Sequence, residues 1–212
     1  MALLHDATVT PSKLELLDVW LPSRPWFTVS PGVESGAGVE KLASYRFDDP
    51  AGEVGLEAIL VSGGGITYQV PMTYRSEPLG GADEHLIGTM QHSVLGPRWA
   101  YDACADPVWV SALATVIRTG GAQAEQYFDV DGRRQVVPPL MTVRGSGAAT
   151  GVVEVADVEC RDQQDVTVSS GGGLGVALVR RIGTPLPSLP DGTDVLTGSW
   201  SGSNEVLLAF LR

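Results

Sequence analysis

Apolar residues recur at helical spacing in two places along the chain and alternate with polar residues over most of the rest. In the first place they form the stripe of a predicted helix: Leu14, Leu17, Trp20 and Leu21. Two starts fit this helix, which Pro22 ends. In one, Thr10 caps a helix that has Pro11 in its first position. In the other, Ser12 and Glu15 form a capping box.

The second helix has both a start and a stop in the sequence. Asp106 suits the N-cap, Pro107 suits the first helical position, and Gly120 suits the left-handed residue after a helix. Its apolar stripe consists of Trp109, Leu113, Val116 and Ile117. The pattern therefore predicts a helix between Pro107 and Gly120.

Strand patterns lie on both sides of this second helix. Before it we predict a three-strand meander and a hairpin, at residues 42–47, 54–61, 66–74, 85–91 and 98–101. After it we predict strands at residues 127–130, 133–137, 141–144, 152–160, 165–169, 173–181, 194–200 and 205–211. Glycines at 63–65 and the pair Asp131-Gly132 are predicted hairpin turns. The fold class is α+β, with a boundary that separates residues 1–121 from a β-rich domain at 122–212.

Length and charge limit the kind of protein. A chain of 212 residues can form one large domain or two small ones, and its 26 glycines and 14 prolines imply many turns. The net charge of −11 argues against nucleic acid or an anionic membrane as partner, because both require basic patches. The first residues lack a basic region, and no run of about eighteen apolar residues occurs. We therefore expect a cytoplasmic protein that spans no membrane.

The sequence offers little support for metal, thiol or phosphate chemistry. Cys104 and Cys160 lack metal-ligand spacing and are expected to be small buried hydrophobes. His85 and His92 stand at opposite ends of one predicted strand, with no third ligand nearby. Residues 171–175 are glycine-rich but lack the Gly-Lys-Ser/Thr of a phosphate loop. We predict no catalytic residue, no metal and no cofactor.

Three ordered motifs carry a resemblance to a known family. They read Leu17-x-x-Trp20-Leu21-x-x-x-x-Trp26-Phe27, then Tyr68-Gln69-Val70-Pro71-Met72-x-Tyr74-Arg75, then Leu86-Ile87-Gly88 with Trp99-x-Tyr101-Asp102-Ala103 and Asp106-Pro107. Together they make residues 12–118 resemble the N-terminal cap domain of bacterial maltokinases and related aminoglycoside-phosphotransferase-like sugar kinases. The family's basic tail after its Trp-Phe/Tyr pair is absent here. The resemblance implies a helix packed on a strongly bent antiparallel sheet, a cystatin-like cap.

A fainter resemblance continues into the second half. Residues 164–168, with the strand that ends in Val179-Arg180-Arg181, look like the small lobe of these kinases. In that alignment Ala177 occupies the place of the lysine that anchors ATP. The resemblance implies a degenerate small-lobe segment, and because the sequence ends at Arg212 we expect a cap without kinase lobes.

Aromatic residues concentrate in the cap half, where either core packing or a sugar-stacking platform explains them. The predicted binding residues are Trp26, Arg75, Trp99, Tyr101 and Asp102. Among them Trp26 is expected to be the most exposed. Arg75 and Asp102 are expected to form a buried ion pair that fixes the cap.

Three functions remain open from the sequence. The first is a stand-alone, non-catalytic cap-like protein of bacterial α-glucan, maltose or trehalose metabolism that binds a partner enzyme or a sugar ligand. The second is a small enzyme, a degenerate sugar kinase or an α-glucan-acting protein. The third is a structural module that forms a homodimer through a free sheet edge.

Overall fold

The computed structural model describes residues 2–4, 7–30 and 38–212. Its helices are α1 (Lys13–Trp20) and α2 (Pro107–Thr119), with 3-10 turns at Leu21–Ser23, Asp83–His85 and Ala103–Ala105. Its strands are β1 (Ala2–Leu4), β2 (Val9–Thr10), β3 (Glu40–Phe47), β4 (Gly55–Gly63), β5 (Ile66–Arg75), β6 (Leu86–His92), β7 (Gly96–Asp102), β8 (Gln126–Val130), β9 (Arg133–Val137), β10 (Met141–Gly145), β11 (Glu159–Gln163), β12 (Val166–Gly171), β13 (Leu174–Val179), β14 (Arg181–Ile182), β15 (Val195–Trp200) and β16 (Val206–Leu211). Among the described residues, no helix is long and apolar enough to cross a bilayer.

Both helices begin at side-chain caps. In α1 the backbone N–H of Ser12 donates to Glu15 Oε2 at 2.7 Å, and the N–H of Glu15 donates to Ser12 Oγ at 3.3 Å. This confirms the capping box, and the alternative start at Pro11 is wrong because Thr10 pairs with β6. Helix α2 has the predicted Asp106 cap and ends at a left-handed Gly120.

The first sheet has the strand order β2-β6-β7-β5-β4-β3, with antiparallel neighbours. Strand β14 extends it by pairing with β5 at Thr67 and Tyr68, beyond the end of β7. Helix α1 and the residues after it cover one face. The buried side chains there are Leu17, Trp20, Leu21, Trp26, Ile59, Val61, Tyr68, Val70, Met72, Tyr74, Ile87, Met90 and Ala100.

Helix α2 lies between the other face of this sheet and a second sheet. The second sheet is antiparallel, in the order β10-β15-β16-β13-β12-β11. One buried cluster joins Tyr45 and Leu60 of the first sheet, Trp109 and Leu113 of α2, and Leu178 of the second sheet. A separate small sheet has the order β1-β8-β9, with β1 parallel to β8.

A buried glutamine also connects the two large sheets. Gln69 of β5 donates from Nε2 to the carbonyl oxygens of Val179 and Leu208, each at 2.9 Å. Its Oε1 accepts a hydrogen bond from Tyr45 at 3.0 Å. The side-chain amide of Gln69 therefore makes three hydrogen bonds inside the core, where a buried polar group without a partner costs about 1–3 kcal/mol.

The predicted strand at residues 152–160 is wrong. Strand β11 begins at Glu159, and the preceding segment lies along α2 without a ladder. The N–H groups of Val153 and Val155 donate to the hydroxyls of Thr115 and Ser111, each at 2.9 Å. Helix hydroxyls thus take the place of a neighbouring strand. We call residues 152–156 the strap.

The fold is α+β in the coarse sense that was predicted, since two short helices pack with curled antiparallel sheets. The cystatin-like form of the cap stays a prediction, as does the boundary at residue 121. The structure adds that one buried cluster contains side chains from both sides of that position.

Candidate functional site

The predicted binding residues fall into two groups on opposite faces of the first sheet. In the β5–β7 register Asp102 pairs with Met72, whose side chain lies on the α1 face of the sheet. Trp26 lies on the same face. Trp99 pairs with Arg75, and Tyr101 pairs with Thr73. Because side chains alternate along a strand, these residues point to the α2 side. The structure therefore does not bring all the predicted residues into one pocket.

Arg180 organises the first group. Its Nη2 donates to Asp102 Oδ2 at 2.5 Å and its Nε donates to Thr167 Oγ1 at 2.6 Å. Its guanidinium lies 4.7 Å from the ring centroid of Trp26. Burial alone would lower the pKa of Arg180, but Asp102, the nearby thiols and Asp162 together outweigh this and raise it. Arg180 is therefore a fixed cation inside the protein, and it lies outside the three sequence motifs.

Two predictions about these residues are corrected by the geometry. Trp26 is 2 % exposed, so the expectation that it is the most exposed candidate is wrong. Its ring packs 5.9 Å from the rings of both Trp20 and Tyr68. The expected Arg75–Asp102 pair is also wrong, because the two side chains lie on opposite faces and each has another partner.

Arg75 anchors the start of α2 to β5. Its Nε and Nη2 donate to the two carboxylate oxygens of Asp106, both at 2.7 Å. Asp106 is fully buried and also accepts from the N–H of Val108 at 3.0 Å as the helix cap. The hydrogen bonds that Arg75 donates to Asp106 raise the pKa of Arg75. This pair has the structural role that was assigned to Arg75, with a different carboxylate.

Asp106→Ala is expected to lower the free energy of unfolding by about 2 kcal/mol, because both the helix cap and the partner of Arg75 are lost. Urea unfolding followed by circular dichroism measures the change. Asp106→Asn keeps a cap acceptor and should cost less. Equal losses in the two variants would contradict this role for the cap.

Tyr101 and Trp99 complete the second group. Tyr101 is buried, and its hydroxyl accepts from the N–H of Leu79 at 3.0 Å. Trp99 is half-buried next to Arg75 in the strand register. Of the predicted residues, only Trp99 and Arg75 keep appreciable surface.

Both lysines of the chain converge on one carboxylate of the first sheet. Glu57 of β4 is buried, and Lys13 Nζ contacts its Oε2 directly. Lys41 Nζ lies 3.8 Å from Oε1 and Arg46 Nη2 lies 3.1 Å from Oε2, while the hydroxyl of Tyr74 donates to Oε2 at 3.2 Å. Burial alone would raise the pKa of Glu57, but the three cations outweigh it and hold that pKa far below its ordinary value. The group fixes the start of α1 on the sheet.

Acid is expected to remove the contribution of Glu57 to stability. Its pKa in the folded state is depressed, so the contribution is complete above about pH 4.3, the ordinary glutamate pKa, and decreases below it. Between about pH 6 and pH 3, the natural chain should lose about 1 kcal/mol more unfolding free energy than Glu57→Gln. Urea titrations at both pH values measure this. Glu53→Gln, at an exposed glutamate, is the control, and an equal acid loss in Glu57→Gln would contradict the prediction.

The described residues give no support for metal or thiol chemistry. They contain no group of three His, Cys, Asp or Glu side chains arranged for a metal ion. Both thiols are free, and burial raises the pKa of Cys104 well above its usual value and that of Cys160 to about 12. Protonated thiols are weak nucleophiles.

Two grooves of about equal size lie among the described residues, one near the C-terminus and one along α2, which we call the α2 groove. Its volume is about 760 Å³. The floor consists of Phe47 with Val108, Ala112, Thr115 and Val116, and the strap forms one wall. The opposite wall is formed by residues 48–51 and 122–125. Sequence reasoning missed this site, because its strap was predicted to be a strand within a sheet.

A comparison with known protein families matches one segment of the chain. No curated protein matches the chain. The segment from Trp20 to Asp106 includes β3 to β7, the cap of α2, Phe47 of the groove floor and residues 48–51 of its wall, but neither the floor helix nor the strap. Residues 20–106 match the family model of the maltokinase N-terminal cap domain, which confirms the resemblance for that segment.

Proposed function

We propose that this chain is a non-catalytic cap-like protein of bacterial α-glucan, maltose or trehalose metabolism, and that it binds a partner enzyme through the α2 groove. The observation that carries the proposal is the half-buried apolar floor of that groove: Val108, Ala112 and Val116 line it on a helix whose other side is buried. Apolar concavities of this kind are typical of protein or ligand binding. The metabolic setting comes from the cap-domain match at residues 20–106.

The buried ion pairs favour binding over catalysis. Arg75 and Asp102 are each held by a partner, and Arg180 lies wholly inside the protein. Ala177, at the place of the ATP-anchoring lysine in the small-lobe alignment, is fully buried in β13 between β12 and β16. These side chains stabilise the fold, and we place recognition on the α2 groove.

The test uses purified maltose-, trehalose- and glycogen-acting enzymes of the source organism and isothermal titration calorimetry. One of them should bind the natural chain, and Ala112→Glu on the groove floor should weaken binding at least tenfold. Val94→Glu places the same charge at an exposed valine of the β6–β7 turn and should leave binding unchanged. Equal binding by both variants would reject the groove. Phosphorylation of maltose from ATP by the purified chain would reject the non-catalytic assignment.

A sugar ligand is the second candidate, favoured by half-buried Trp99 beside Arg75. Indole faces stack on sugar rings. Maltose or trehalose should then change the tryptophan fluorescence of the natural chain but not that of Trp99→Phe. A change of equal size in both would reject this residue.

A further inference from the structure

The floor of the α2 groove has the length of a short helical segment. From Val108 to Val116 it advances about 12 Å at 1.5 Å per residue. Side chains of the strap lie along one side, with Val155 buried and Val153 half-buried against α2. The apolar strip therefore matches two to three helical turns of a partner segment.

The rim of the groove carries charge of one sign. Four carboxylates lie on its two walls: Asp48, Asp49, Glu125 and Glu154. None of the described residues that line it is Lys, Arg or His. Asp49 is held in place, because it accepts from the backbone N–H groups of Ala51, Glu53 and Val54 at 2.9–3.0 Å.

Asp49 interacts with Arg75, so the charge of the rim rests mainly on the exposed Glu125 and Glu154. Lys13, Lys41 and Arg46 are gathered around Glu57 on the α1 face of the first sheet, whereas the groove lies on the α2 face. An acidic rim around an apolar floor repels anionic segments and attracts cationic ones. Charge complementarity thus selects one class of occupant.

We infer that the α2 groove binds a basic amphipathic segment of the partner protein, with apolar side chains on the floor and Lys or Arg side chains against the rim. This inference rests on the proposed function and adds the chemistry of the partner. Helix-in-groove recognition uses the same division between apolar anchors and a charged outer face.

Two synthetic peptides with fluorescent labels serve as probes. Both have leucines along one helical face, and the other face carries lysines in one peptide and glutamates in the other. Fluorescence anisotropy should show binding of the lysine peptide and none of the glutamate peptide. Glu125→Lys/Glu154→Lys should weaken binding about tenfold, as expected for two lost rim pairs of about 0.7 kcal/mol each. Ala112→Glu should also weaken it, by removing the apolar contact.

The matched control addresses general attraction to an acidic protein. Glu84→Lys/Asp191→Lys changes the net charge by the same amount at exposed sites away from the groove and should bind like the natural chain. Equal weakening in both double variants would overturn the inference. Preferential binding of the glutamate peptide would overturn the charge assignment and leave the groove intact. A partner enzyme insensitive to Ala112→Glu would instead reject the proposed function.

Discussion

Replacement of Arg180 by alanine is expected to lower the free energy of unfolding by about 3–5 kcal/mol. The guanidinium is fully buried, and its removal leaves the buried Asp102 carboxylate without its counter-ion and Trp26 without the cation above its ring. Thr167 also loses the donor of its hydrogen bond. Urea unfolding, followed by tryptophan fluorescence and circular dichroism, measures the loss.

Arg181→Ala is the matched control for this prediction. Arg181 is the next residue and pairs with Asp165 at 3.1 Å, but both side chains are partly exposed. An exposed pair contributes about 0–1 kcal/mol, so the control should lose far less than Arg180→Ala. Arg180→Ala/Asp102→Leu should recover part of the loss, because no buried charge is left alone. Similar losses at Arg180 and Arg181 would contradict the assigned role of Arg180.

Trp26→Ala is expected to cost about 3–5 kcal/mol, the usual cost of truncating a buried tryptophan. The cavity would open beside Trp20, Tyr68 and Arg180, which all pack against the indole. Thermal unfolding by calorimetry measures the change. This variant also tests whether the cap segment and the C-terminal half depend on each other, because Arg180 lies outside the cap match.

Trp99→Ala is the comparison for the Trp26 prediction. It removes the same side chain from a half-buried position on the other face of the sheet. The loss should therefore be smaller than for Trp26→Ala. A larger loss for Trp99→Ala than for Trp26→Ala would contradict this order.

Local elements could be predicted from the sequence because their signals are short-range. The capping box of Ser12 and Glu15 and the Asp106 start of α2 are fixed by residues within one helical turn. The hairpin turn at Asp131-Gly132 is likewise determined by its own backbone preference, with both residues at positive φ.

The partners of the charged residues could not be predicted, since they depend on strand order. Asp102 contacts Arg180, which is 78 positions away in the sequence. The contact forms because β14, which follows Arg180, pairs with the part of β5 that β7 does not cover. Trp26 is buried partly by Tyr68 and Arg180, which are likewise distant in the sequence. The α2 groove was equally hidden, because a strap held by the hydroxyls of Ser111 and Thr115 has the alternating pattern of a strand.

Glycines near residue 146 lie against the C-terminal end of α2. The N–H of Gly147 donates to the carbonyl of Ile117 at 2.9 Å, so this segment satisfies the C-terminal end of α2. A Cβ at Gly147 would lie 2.2 Å from the carbonyl oxygen of Arg118, which no other residue type avoids. A close backbone approach leaves no signal in the sequence beyond the glycine itself.

The convergence of both lysines on Glu57 has a practical consequence for any binding assay. Amine-directed coupling to a sensor chip, or labelling with an activated ester, would modify Lys13, which holds α1 on the sheet, and Lys41, which lies next to the same carboxylate. Acylation would neutralise two of the three cations around a buried carboxylate and loosen that contact. Immobilisation through an affinity tag, with the dye on the peptide, keeps the reagent chemistry away from the fold.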